Sequence, residues 1–197
     1  MKTFEFDQVT TKNGDRGTTT NWDGDPIRKD APIFDLIGDI DELSTAIGTA
    51  RLTLDRKMPW MTRNTIQDQL GVIQVTLQNI MSLVATNPKM DWHNSGTPTN
   101  PRYLALRQIS EETVVHEIEV WERELLKHGV EIPNRFVLPG GVVDTARVIC
   151  RRAERKMVAF MAPDSLNTRS DLRWSSVYLN RLSDLLFILG ISNNDPD

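Results

Sequence analysis

The chain has 197 residues, of which 39% are hydrophobic and 25% charged, and its net charge is −4. That size and balance suit one soluble domain able to bury a core without staples. The acidic total, with no basic stripe, argues against a nucleic-acid polymer or an anionic membrane surface as partner. Its single cysteine, Cys150, excludes an intrachain disulfide and fits a reducing compartment; in its apolar helical setting it reads as a small core residue rather than a nucleophile.

No apolar run approaches the ~20 residues of a membrane span. The start, Met1-Lys-Thr-Phe-Glu-Phe-Asp, has neither the apolar stretch of a signal peptide nor the arginines of a transit segment. The expected compartment is the cytoplasm, or the mitochondrial matrix where a presequence has been removed.

Residues 1–30 read as irregular. They contain the run Thr11-Lys12-Asn13-Gly14-Asp15-Arg16-Gly17-Thr18-Thr19-Thr20. Glycines let backbone N–H groups turn inward, while Lys and Arg neutralise charge, a combination suited to a polyphosphate. It is not a Walker loop, because no Gly-Lys-Ser/Thr opens a helix. A solvated surface loop is the competing reading, as it is for Lys29.

Helical periodicity then takes over. The spacing of Leu36, Ile40, Leu43, Ile47, Ala50 and Leu54 predicts a helix over 35–54, with Gly38, Asp41, Thr45 and Gly48 forming a small, polar second stripe. Ile66, Leu70, Ile73, Leu77, Ile80 and Val84 predict a helix over 62–86. Residues 87–101 are rich in Pro, Gly and Asn and read as a loop. A third helix is expected from either 101 or 110 to 127, with Val114, Ile118, Trp121 and Leu125 inward. After a turn at Phe136-Val-Leu-Pro-Gly-Gly141, a fourth helix covers 142–160 and a fifth 172–190. The fold expected is all-α, a five-helix up-down bundle of the ferritin-like kind with an irregular N-terminal segment. Residues 1–190 would form one domain and 191–197 a frayed tail.

The fourth helix carries Arg147, Arg151, Arg152 and Arg155, with Glu154 among them. Arg147, Arg151 and Glu154 fall at i, i+4 and i+7 and share a face. Like charges so close need partners: an anionic ligand, or salt bridges to Asp35, Asp39, Asp41 and Glu42 of the first helix. Asn180, with Asp184 and Phe187 one and two turns on, is a bundle contact or a ligand group.

These stretches stand in order with Lys29-Asp30, Gly38-Asp-Ile-Asp41-Glu42-Leu43-Ser44, Cys150-Arg-Arg-Ala-Glu-Arg155 and Asn180-Arg-Leu-Ser-Asp184. Together they resemble the PduO-type ATP:cob(I)alamin adenosyltransferases over residues 10 to 190. The resemblance implies a homotrimer with ATP at each subunit interface. Thr11, Lys12, Gly14, Asp15, Gly17, Thr18, Thr19 and Lys29 would surround the triphosphate, and Arg151, Glu154 and Asn180 would contact the nucleotide. Arg151, Arg147 and Asp41 would be the catalytic set, the last two pairing across an interface. Phe136 and Phe187 would line the corrinoid pocket. The reaction implied is transfer of the 5′-deoxyadenosyl group of ATP to the cobalt(I) of a reduced corrinoid, with Mg²⁺ accompanying ATP through ligands the resemblance does not assign. A corrinoid reductase and an adenosylcobalamin-dependent acceptor enzyme would be partners; nucleic acid and membrane would not.

The chain departs from the family pattern after Pro-Gly-Gly. Only Val142 to Ala146 separate Gly141 from Arg147, where the family has a longer spacer, often with a Leu-His pair. Ser44 stands where Asn is frequent, and Asp25-Pro26-Ile27 and Phe34-Asp35-Leu36-Ile37 are atypical around otherwise recognisable anchors. The shortened spacer motivates the alternative of a non-catalytic carrier or sensor of ATP or adenosylcobalamin. His93, His116 and His128 match no motif and are expected to be structural or exposed.

Overall fold

A computed structural model describes residues 10, 12, 14–21, 24–54, 63–86, 101–127, 132–162 and 169–194. Thr11, His93, His128 and the end of the tail lie outside the described residues. A short antiparallel hairpin, β1 (Thr18–Thr20) and β2 (Pro26–Arg28), precedes α1 (Pro32–Thr53), α2 (Arg63–Val84), α3 (Pro101–Ile109), α4 (Thr113–Lys127), α5 (Gly141–Phe160) and α6 (Arg173–Asn194). The helices touch in the ring α1, α2, α3, α4, α6, α5 and back to α1.

The predicted seams are the core. Leu36, Ile40, Leu43 and Ile47 of α1 are buried, as are Ile66, Leu70, Ile73, Leu77 and Ile80 of α2. Each such side chain contributes roughly 1.5–3 kcal/mol on leaving water. Of the two starts expected for the third helix, the later one is close to that of α4, and residues 101–109 form a separate helix, because the chain breaks at 110–112. There the Ser110 hydroxyl donates to the Arg107 carbonyl at 2.7 Å, competing with the helix ladder. The hairpin is a second difference: its three-residue strands are too short to register as alternation. The last helix continues to Asn194, past residue 190.

α1 and α5 run antiparallel and are tied by charge. Asp39, 8% exposed, lies 3.3 Å from both Arg152 and Lys156. Arg152 also pairs with Glu42, and Lys156 reaches the Asp35 carbonyl. A carboxylate this buried is tolerable because two cations share it.

A second tie closes the C-terminal end of α2. Arg169, 4% exposed, donates to the carbonyls of Leu83, Val84 and Thr86 and to both oxygens of Asp171. The Leu83 carbonyl also accepts from the Thr86 N–H and hydroxyl, while those of Val84 and Thr86 lie past the helix's own hydrogen-bond ladder; one guanidinium reaches all three. A short 3₁₀ turn, Ser170–Leu172, then leads into α6.

Candidate functional site

The N-terminal segment folds into consecutive turns. The Asp15 N–H donates to the Lys12 carbonyl and the Gly17 N–H to the Gly14 carbonyl, each at 3.2 Å. Lys12 holds φ at 58° and Gly17 at 77°. Left-handed backbone of this kind is costless for glycine and uncommon for lysine, so Lys12 is set against its own preference. The hairpin returns the chain to this turn: the Lys29 N–H donates to the Gly17 carbonyl at 2.9 Å. Arg28 and Asp30 pair beside it, which holds the Asp30 carboxyl below the usual carboxylate range. Lys29 points the other way, over Gly14, where an added methyl would come within 2.5 Å of its ammonium. Lys12, Gly14, Asp15, Gly17, Thr18, Thr19 and Lys29 are thus one solvent-facing cluster joined directly to α1.

The second cluster lies where α5 faces α6. Asn180 Nδ2 donates to Glu154 Oε1 at 2.9 Å, joining two of the predicted nucleotide residues. Arg151 stands one turn before Glu154 and lines a cleft of about 360 Å³. Its other walls are Glu122 of α4, Ile132, Arg147 of α5, and Ser183, Asp184, Phe187 and Ile188 of α6. Burial, with the neighbouring Asp184 charge second, raises the Glu122 carboxyl pKa. Basic and acidic groups therefore share the cleft with an aromatic ring.

Arg147 closes one side. Its guanidinium carbon is 6.0 Å from the centroid of Phe187, within cation–π range. Its Nε donates to Asp144 Oδ1 at 2.8 Å, so its partner within the chain is Asp144 and not Asp41. Asp41 is exposed on α1, on the small, polar stripe with Gly38 and Thr45. Phe136 is 87% exposed in the strap before α5 and is not among the residues that line the cleft with Phe187. The strap ends in Gly141, whose φ of 79° only glycine adopts freely, and α5 starts there directly. That is how the short spacer is absorbed.

Cys150 is buried and its thiol donates to the Leu179 carbonyl at 3.2 Å, with burial pushing its pKa up; it has no nucleophile's setting. His116 is exposed on α4. Among the described residues no group of His, Cys, Asp and Glu forms a metal cage. That donor set fits Mg²⁺ only as an ion carried by phosphate oxygens and water, its usual habit. Among them, too, no helix is long and apolar enough to cross a membrane.

A family model described as cobalamin adenosyltransferase matches residues 9–192 of this sequence, which takes in both polar clusters. The chain belongs to the cobalamin adenosyltransferase family. It is 31% identical over 195 residues to corrinoid adenosyltransferase MMAB of Homo sapiens, covering 95% of this chain and 69% of that one. A cobalamin adenosyltransferase of Cupriavidus metallidurans is 31% identical, over 92% of this chain and 85% of its own length. Among solved structures, a variant PduO-type ATP:co(I)rrinoid adenosyltransferase from Lactobacillus reuteri complexed with ATP superposes with a TM-score of 0.70 at 25% identity, covering 94% of this chain and 93% of that one. A second variant from that source, complexed with cobalamin and ATP, gives a TM-score of 0.67 at 26% identity over the same shares.

Sequence reasoning missed Glu122, Ser183 and Asp144 as members of the region. A single Glu on an amphipathic helix reads as a solvated face. Asp144 had one available signal: an acid in the first turn of a helix that also carries an arginine three residues on.

Proposed function

We infer that this chain is an ATP:corrinoid adenosyltransferase. Cobalt(I) of a reduced corrinoid attacks the 5′ carbon of ATP, a cobalt–carbon bond forms, and the carbon–oxygen bond breaks with its electrons passing to inorganic triphosphate. The nucleophile is the substrate's own metal, so the protein's work is to position, neutralise and exclude water. The carrying observation is that Arg151, next to the Glu154–Asn180 pair, shares a cleft with Arg147 and Phe187: residues suited to a nucleotide border residues suited to a flat apolar ring.

In this reading Lys12 and Lys29 neutralise the triphosphate, the turn at Gly14 to Gly17 offers main-chain N–H groups, and Thr18 and Thr19 add hydroxyls. Thr11 and Asp15 belong to the same loop, and Mg²⁺ arrives on the phosphates. Arg151 offsets charge on the departing oxygen, while Glu154 and Asn180 hold the nucleoside end. Phe136 and Phe187 flank the corrinoid and keep water from cobalt. The chain works as a homotrimer. Asp41 of one protomer meets the terminal nitrogens of Arg147 in the next, and the exposed stripe of Gly38, Asp41 and Thr45 supports that contact. A reductase supplies cobalt(I) and an adenosylcobalamin-dependent enzyme takes the product. The cytoplasm, or a mitochondrial matrix, supplies the reducing setting that the lone cysteine suits.

The test is anaerobic mixing of the protein with ATP, Mg²⁺ and chemically reduced cobalamin, followed by visible absorption. Loss of the cobalt(I) band with growth of a light-sensitive alkyl-cobalt spectrum is expected. Arg151→Ala should slow this by roughly 10²–10³-fold, the usual cost of deleting a donor to developing charge. ATP binding with no conversion would overturn the reading in favour of a carrier or sensor.

A further inference from the structure

Asp144 is 8% exposed in the first turn of α5, and its two oxygens serve different masters. Oδ2 accepts from the Gly140 N–H at 2.7 Å, and Oδ1 accepts from Arg147 Nε at 2.8 Å. The first contact terminates the strap of residues 132–140, which presents Phe136 and Leu138, 87% and 81% exposed. The second fixes the guanidinium that lies over Phe187 in the cleft wall. From α6, Gly190 packs beside the carboxylate: a methyl there would stand in ordinary contact, 3.7 Å from Oδ2. The short spacer between Gly141 and Arg147 makes both contacts possible from one side chain.

We propose that Asp144 is the positioning residue of this site, holding Arg147 by Nε and coupling it to the end of the strap that carries Phe136. Because, among the described residues, only Nε is engaged, the two terminal nitrogens remain for the cleft or for a neighbouring protomer. A carboxylate is needed for this: the two donors meet different oxygens, and in an asparagine one of those positions becomes an NH₂ that faces Gly140 N–H or Arg147 Nε as a second donor. A plain helix cap would also accept the Gly140 N–H, but its effect would not depend on Arg147. The coupling rests on the adenosyltransferase reading for its catalytic consequence and on geometry alone for its existence.

Both parts are tested with full-length Asp144→Asn, Arg147→Gln and the double variant. Amide hydrogen exchange reads the geometry: protection at Gly140 should fall in Asp144→Asn and, through the shared carboxylate, in Arg147→Gln. Unchanged protection in Arg147→Gln would overturn the coupling, whatever the enzyme does. Steady-state kinetics read the consequence. Asp144→Asn should leave the KM for ATP within about twofold and reduce kcat/KM for the corrinoid by about 10- to 100-fold, the scale of a small misplacement at a reacting centre. The double variant should be no slower than Arg147→Gln alone. Additive losses, or a lower melting temperature with kinetics intact, would leave Asp144 a helix cap and nothing more. A wild-type protein without turnover would refute the functional reading and leave the exchange result standing.

Discussion

The Lys29 ammonium lies over the backbone of Gly14, close enough that a methyl group on Gly14 would touch it at 2.5 Å and its Cε at 2.9 Å. Two residues separated by the hairpin therefore define one surface. The obstacle is the flexible end of a side chain, and Gly14 is not in the left-handed region. Gly14→Ala should fold normally, with a melting temperature close to wild type, but push Lys29 away from the turn. The expected result is a KM for ATP raised about tenfold, one lost charge contact, with the KM for corrinoid unchanged. An unaltered KM for ATP would remove Lys29 from the triphosphate site.

Asp41 faces solvent in a single chain, so its proposed role is visible only in the assembly. Asp41→Ala should shift sedimentation toward smaller species and lower kcat with them. An unchanged trimer with unchanged kinetics would count against the pairing with Arg147.

Arg169 is the most buried cation described, and it donates to four acceptor groups. Arg169→Leu strands Asp171 and the carbonyls of Val84 and Thr86 together. We expect a loss of about 3–5 kcal/mol, the cost of breaking a buried pair by removing one partner, read as a lower urea midpoint. Loss below about 1 kcal/mol would mean that water replaces the guanidinium.

Glu122 gives a pH-dependent signature. Its carboxyl pKa is raised by burial first and by Asp184 second, while Arg181 and Arg123 oppose the shift. The folded state then binds a proton that the unfolded state has released. Stability contributed by this group is present below the ordinary Glu value of 4.5 and falls as pH rises from there through the raised folded value. Glu122→Gln should flatten the urea-midpoint profile on that limb and leave the acid limb alone. A profile as steep as wild type would show that the carboxylate is fully solvated.

The sequence made the bundle legible because burial follows one period. Leu36, Ile40, Leu43 and Ile47 repeat it without interruption, and each is buried. The break between α3 and α4 was legible only as a choice of helix start, 101 or 110, because it contains no Gly or Pro; a serine hydroxyl marks it. The hairpin was hidden by its length. Motif order grouped Arg151, Glu154 and Asn180 as proposed nucleotide residues, and the structure brings two of them, Asn180 and Glu154, into hydrogen-bond contact. The partner of Arg147 was not legible. Within the chain that partner is Asp144, three residues before it, and the proposed pairing with Asp41 involves a second protomer. The role of Arg169 was not legible either, since three of its partners are main-chain carbonyls that carry no side-chain signature.

Those carbonyls also set an order of events during synthesis. The partners of Arg169 at the end of α2 precede it by 83 to 86 positions. A nascent chain therefore exposes an unfinished helix end while α3, α4 and α5 emerge from the ribosome, and completes it only when residue 169 arrives. Shortened products that stop before that point should be the ones that chaperones and proteases capture.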